Sequence, residues 1–157
     1  MKRFFHTDND PTTLIIRLMT GLVFLSEGIQ KFLFPEMYGP GRFAAMGFPD
    51  AAFWAWLVAT FEVLCGILLP LGLAVRAAAL AMLVNMTVAI VVTKIPIALG
   101  ESFGPFVLRE LKSYGFWSMA HEMRTDFTLW LGSLFLLIKG GGRWSFDRKV
   151  ISARQTE

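Results

Sequence analysis

A single carboxylate sits near the middle of an otherwise uncharged apolar run. Residues 51–75 contain no charge except Glu62. An α-helix rises about 1.5 Å per residue, so about 20 apolar residues cross the hydrocarbon of a bilayer. The run is long enough to span, which places Glu62 near mid-depth. Insertion scales charge a carboxylate there about 2.5–3.5 kcal/mol. A side chain that costly faces a protein interior or a wet cavity. The run therefore reads as part of a polytopic membrane protein with a polar site inside it.

Composition agrees with an all-α membrane domain. The 157 residues are 55% apolar with mean hydropathy +0.55, and Phe, Trp and Met are abundant. The formal charge is +3, but the basic residues are scattered, so the charge fits membrane orientation and no nucleic-acid partner is expected. Cys65 is the single cysteine. It excludes an internal disulfide and a CxxC pair, and with them quinone reduction by vicinal thiols. The first apolar stretch carries Arg17, Glu27 and Lys31 and has no A-x-A-like cleavage site, so it is expected to be retained rather than cleaved as a signal peptide.

Four spans are expected, at about 13–34, 51–74, 77–97 and 119–138, with outer loops at 35–50 and 98–118 in one membrane domain over 1–157. Thr12 or Thr13 starts the first and Pro35 ends it, while Asp50 is a good N-cap for the second. Pro70 can bend the second span, and Lys94 and Pro96 mark the end of the third. The turn around residues 74–77 is short enough to make the second and third antiparallel neighbours. Lys2, Arg3, Arg76, Lys139, Arg143, Arg148, Lys149 and Arg154 fall on one side; Arg42, Arg109 and Lys112 fall on the other. The positive-inside rule then puts both termini in the cytoplasm. Residues 105–117 alternate apolar and charged side chains in a way that suits either a short interfacial helix or an ordered loop with an aromatic belt.

Arg17, Gly21, Phe24, Gly28 and Lys31 recur at steps of four and three, forming one stripe with Glu27 beside it. Ala55, Ala59, Glu62 and Gly66 form a stripe of small residues that would carry Glu62 into the bundle. The fourth span is short: only twelve uncharged residues separate Asp126 from Lys139, about 18 Å of helix. To cross, it must take some of His121, Glu122, Arg124 and Asp126 into the outer leaflet. The outer half of the bundle then gathers Glu27, Lys31, Glu62, His121, Glu122, Arg124 and Asp126, with Lys94 close by. Such a cluster is either a structural ion-pair network or a ligand- or proton-handling pocket. No metal is expected, because H-E-x-x-H spacing is absent and Thr125 takes the place of a second His. Haem held by this chain alone is not expected, since His6, the other histidine, falls at the cytoplasmic end.

The segment RLMTGLVFLSEGIQKF (residues 17–32) resembles the signature of the DoxX family of small four-helix membrane proteins. FEVLCGILLPLGL (61–73) does so too, with Glu62, Gly66 and Gly72 in matching places. GGGRWSFD (140–147) is similar to the family's glycine-proline-glycine, aromatic, Ser, Asp ending, with Gly141 in place of the proline. Residues 94–100 and 109–127 resemble a bacterial subgroup with a longer last outer loop. The matching polar positions are Glu27, Lys31 and Glu62, and the acidic position of the fourth helix corresponds to Glu122 or Asp126. The family is named for a subunit associated with archaeal quinol oxidase and thiosulfate:quinone oxidoreductase. Other members are linked to oxidant-defence assemblies, and distant eukaryotic relatives act as cargo receptors.

The resemblance implies a subunit of a quinone-linked oxidoreductase or oxidant-defence complex in the bacterial inner membrane. Quinone is its expected cofactor, and electrons would come from a partner redox subunit. Phe24, Phe61 and Trp130 are candidate walls of the ring site. The competing expectations are a non-enzymatic binding or transport protein for a small polar or amphiphilic solute, and a scaffold for an extracytoplasmic protein. The lipid bilayer is a partner under each, and a homo-oligomer is compatible with all. The topology is open to a direct test in a Cys65→Ala background. Arg42→Cys or Gly104→Cys should react with an impermeant thiol reagent in intact cells, whereas His6→Cys or Ser152→Cys should not; labelling of both termini from outside reverses the orientation.

Overall fold

The computed structural model describes residues 9–153. Lys2, Arg3, His6 and Arg154, which enter the orientation and haem arguments, lie outside the described residues. The described chain is helical; its β structure is confined to an isolated bridge between Phe103 and Phe106. Three stretches are long and apolar enough to cross a membrane. They are α1 (Thr13–Leu33), α4 (Ala51–Leu71) and a composite Val75–Leu99. The composite consists of α5 (Val75–Ala89), a π-helical turn (Ile90–Lys94) and α6 (Ile95–Leu99). Two short helices, α2 (Pro35–Tyr38) and α3 (Pro40–Ala45), link α1 to α4. After a long loop come α7 (Phe116–Glu122), α8 (Arg124–Lys139) and α9 (Phe146–Ala153).

Helices α1 and α4 form the tightest pair, and the two stripes read from the sequence are their buried faces. Two glycines set the spacing. A Cβ on Gly66 would stand 2.6 Å from the backbone nitrogen of Leu25, and one on Gly28 would stand 2.8 Å from that of Val63. Only a missing side chain permits such an approach. Helix α8 packs on α5, and Phe24, Leu69, Met82, Leu129 and Leu136 fill the space between the two pairs.

At one end of the bundle, Arg17 ties three segments together. It is 1% exposed. Its Nε donates to the Leu69 carbonyl (2.8 Å), Nη2 to that of Pro70 (2.5 Å), and Nη1 to those of Gly141 (2.9 Å) and Trp144 (2.7 Å). The first two belong to the last turn of α4, where carbonyls lack helical partners. A planar guanidinium with a fixed fork of donors suits this task. Beside it, Asp147 caps α5 from the far end of the chain: Oδ1 accepts from the Ala74 N–H (2.7 Å) and Oδ2 from that of Val75 (2.9 Å). Ala74 sits in the left-handed region at φ +48°, a conformation that costs a non-glycine residue energy and needs such support. The chain's two described ends meet here, Arg148 donating to the side-chain oxygen of Asn9.

Three local expectations are corrected. Asp50 precedes α4 at φ +50°, and its side chain makes no capping hydrogen bond. Pro96 does not end the third span: the π turn starts a fresh helix at Ile95, so Pro96 occupies its first turn, where no backbone N–H is required. The short interfacial helix is not formed over residues 105–114, and the ordered-loop alternative holds. That segment spends its polar groups on non-helical partners. Phe103 and Phe106 exchange backbone bonds, Val107 N–H donates to Met46 O (3.1 Å), and Gly115 N–H to Ile97 O (2.9 Å). Helix begins only at Phe116. The fourth segment is broken at Met123, leaving α8 with 16 residues, about 24 Å of helix.

Arg17→Met should sharply lower the thermal unfolding temperature in detergent, because each buried carbonyl left without a donor costs about 1–3 kcal/mol. Arg17→Lys should rescue little, since an ammonium cannot reach all four carbonyls. Asp147→Ala should cost about 1–2 kcal/mol as a lost cap.

Candidate functional site

Lys31 lies fourteen residues after Arg17, close to four helical turns, so both cations leave the same face of α1. At the opposite end of the bundle from Arg17, Lys31 meets Glu62 of α4. Nζ stands 2.6 Å from Oε2, with the two side chains 11% and 4% exposed. The other oxygen, Oε1, accepts from Asn85 Nδ2 of α5 at 3.2 Å. Lys31 also reaches back along its own helix to the Glu27 carbonyl (3.4 Å), with Glu27 Oε2 at 3.9 Å. The mid-span carboxylate is thus held by a cation and an amide from two different helices. Asn85 was not among the residues singled out from sequence, although it is the one carboxamide in its apolar span and carries the same kind of signal as Glu62.

A second ion pair lies further out. Lys94 Nζ is 2.9 Å from Asp126 Oδ2, joining the π turn to the first turn of α8. A π turn holds an extra residue relative to an α-helix and so rotates everything after it; such turns recur at functional sites. Here it carries Lys94 at its end, and the lysine is buried.

Between the two pairs is a cavity of about 880 Å³, within the range of small-molecule sites. Of the residues proposed from sequence, Glu27, Lys31, Glu62 and Asp126 line it, and Asn85, Lys94, Tyr38 and Arg42 join them. Phe24 and Phe61 contribute walls as expected, together with Phe43, Phe48 and Trp54. The third candidate wall, Trp130, lies elsewhere. It stacks on Phe127 and donates to Thr87 Oγ1 (2.9 Å).

His121, Glu122 and Arg124 do not line the cavity. Arg124 Nε donates to the His121 carbonyl (2.8 Å), and its Nη2 is 3.1 Å from the His121 ring nitrogen. Glu122 pairs with Arg109 at 3.2 Å in a partly solvated bridge, an arrangement worth about 0–1 kcal/mol. The break at Met123 divides the two sets, and only Asp126, one turn into α8, reaches inward. Of the two candidates for the acidic position of the fourth helix, the cavity-lining one is Asp126. The charge cluster is therefore both paired and hollow, combining features of the two alternatives drawn from sequence.

Glu62→Gln should leave the fold intact, because shape is kept and a buried charge is removed. Lys31→Met should cost about 3–5 kcal/mol by stranding Glu62, and the double change Lys31→Met with Glu62→Leu should recover most of the loss. Thermal unfolding of the wild type, Lys31→Met, Glu62→Leu and the double variant checks the cycle; additive losses would show that the pair is not coupled.

The chain matches the model of the DoxX family over residues 12–95. That range includes Lys31, Glu62, Asn85 and Lys94. It is 47% identical over 148 residues to the "Uncharacterized membrane protein Rv3486" of Mycobacterium tuberculosis, covering 94% of this chain and 86% of that one. It is also 32% identical over 84 residues to the "Putative oxidoreductase CatD" of Bacillus subtilis, covering 53% of this chain and 60% of the relative. No solved structure matches the chain significantly. With three apolar spans and a family match across more than half its length, the chain is an integral membrane protein of the DoxX family.

Proposed function

We propose that the chain is a membrane subunit of a quinone-linked oxidoreductase or oxidant-defence complex in the bacterial inner membrane. In this reading α1, α4, the α5–α6 composite and α8 cross the bilayer, and both termini are cytoplasmic. The observation that carries it is the cavity: an aromatic-walled space of about 880 Å³ with a buried Lys31–Glu62–Asn85 network in its wall. The residues fit a quinone ring on three counts. The volume is sufficient, Phe24, Phe61 and Trp54 offer ring faces, and Lys31 and Asn85 offer N–H donors for carbonyl oxygens. The name of the Bacillus relative points the same way.

A bound quinone supplies two-electron, two-proton chemistry, the electrons coming from a partner redox subunit. Lys31 would donate a hydrogen bond from Nζ to a ring oxygen and stabilise negative charge there. When Lys31 passes its proton to a ring oxygen, Glu62 would take up another at Oε2, so the pair keeps its net charge as protons pass. Asn85 fixes the Glu62 carboxylate and keeps its orientation. Glu27, at 3.9 Å from Lys31 and 45% exposed, is placed to renew protons from the outer side.

The same cavity would serve a non-enzymatic binding or transport protein for a small polar or amphiphilic solute. The polar lining beyond the Lys31–Glu62 pair, with Tyr38, Arg42 and the Lys94–Asp126 pair, favours that second reading, since a quinone ring needs fewer polar groups. A scaffold role would use the outer end, where Trp117 is 83% exposed.

Native mass spectrometry of the purified chain should reveal a quinone at close to one per protein. Glu62→Gln should retain it, whereas Lys31→Met with Glu62→Leu should lose it while remaining folded. A wild-type protein that neither carries nor takes up a quinone refutes the proposal.

A further inference from the structure

The cavity is longer than a ring requires, and its excess length is apolar. From Asn85 it continues along α5 past Val84, Ala81 and Leu80 to Ala77, eight residues or about 12 Å back toward the Arg17 end. Val84 is 55% exposed and Leu80 45%; across the groove on α4, Phe61 is 45% exposed. The two helices are joined by the tight turn after Leu71, and since Phe61, Leu80 and Val84 line the cavity while half exposed, the groove opens sideways on the α4 and α5 side.

The polar end has unspent hydrogen-bonding capacity, and its buried cations are spent; the other cation of the lining, Arg42, is exposed. Lys31 and Lys94 are each paired with a carboxylate. An ammonium has three donors, and the hydrogen bonds of Lys31 to Glu62 and to the Glu27 carbonyl occupy two of them. Asn85 donates one N–H to Glu62 and keeps its second N–H and its carbonyl oxygen for another partner. Carbonyl or hydroxyl groups suit this end. An anionic headgroup seated at Lys31 and Asn85 would have to break a buried pair to gain a cation, the exposed Arg42 being the lining's cation outside those pairs.

We propose that the ligand of this site is a chain-bearing amphiphile with an uncharged, hydrogen-bonding head, which enters from the bilayer between α4 and α5. The head meets Lys31 and Asn85, and the chain lies in the groove along Leu80 and Val84. A water-soluble solute would have no use for the apolar arm. A helix of a second copy would fill the arm but leave the polar end without a partner. The inference rests on the cavity being a ligand site and deepens the proposed function by assigning the ligand's physical class and route.

The test uses the full chain in lipid nanodiscs, with a decyl-tailed benzoquinone and the tailless quinone bearing the same ring substituents. Affinities are expressed per lipid-phase concentration, so that partitioning cancels. Val84→Trp places a large side chain on an exposed face and fills the arm without touching the core; Leu80→Trp repeats the test one turn away. Each should weaken the tailed probe about tenfold, the scale of a few lost methylene contacts, while changing the tailless probe less than about twofold. Equal weakening of both probes, or no change in either, overturns the inference and leaves the ring site standing. A change in oligomeric state with both affinities unaltered also overturns it, in favour of a second copy. If the wild-type chain binds neither probe, the proposed function falls along with the inference.

Discussion

Two buried cations on one face of α1 organise the bundle. Arg17 and Lys31 point toward α4 from positions about four turns apart, and each finds what lipid cannot supply. Arg17 takes up the carbonyls at the end of α4, and Lys31 takes the carboxylate at its middle. Between them Gly28 and Gly66 bring the two backbones close. A slide of either helix by one turn, about 5.4 Å, would separate both cations from their partners at once. The register of α1 on α4 is therefore set by polar contacts at two heights, and apolar packing fills in around it.

The cavity follows from how the remaining helices are attached to that pair. α5 is bound to α4 by a tight turn at one end, where Asp147 and Arg17 also act, and by the Asn85–Glu62 hydrogen bond further out. α8 packs on α5 rather than on α4. The π turn carries Lys94 to Asp126 on the far side of the space. Polar groups line a hollow here because the elements that bear them are fastened at their ends.

Spacing made the helix faces legible. Arg17, Gly21, Phe24, Gly28 and Lys31, and likewise Ala55, Ala59, Glu62 and Gly66, are buried as a period of 3.6 requires. A mid-span carboxylate must find a partner, so Glu62 could be placed inside the bundle among the other charges, but that its partner is Lys31 emerged only from the structure. Arg17's role was hidden, since its acceptors are backbone carbonyls, two of them more than a hundred residues away. Backbone groups carry no residue signature. The loop at 105–114 misled for a related reason: amphipathic spacing reports which side chains prefer water, while bonds to Met46 and Ile97 decide the backbone. His121, Glu122 and Arg124 were grouped with Asp126 by proximity in sequence, and the break at Met123, which no proline or glycine announces, divides them.

The clasp at residues 141–147 also imposes an order on assembly. Arg17 is made more than a hundred residues before two of its four acceptors. Until translation has passed Trp144, the guanidinium has only α4 to bond, and the strained backbone at Ala74 lacks the carboxylate that caps it. The early spans are therefore held provisionally during synthesis. The strap at residues 141–147 closes over them only afterwards, so a chain cut short before it would leave a loosened bundle for quality-control proteases to recognise.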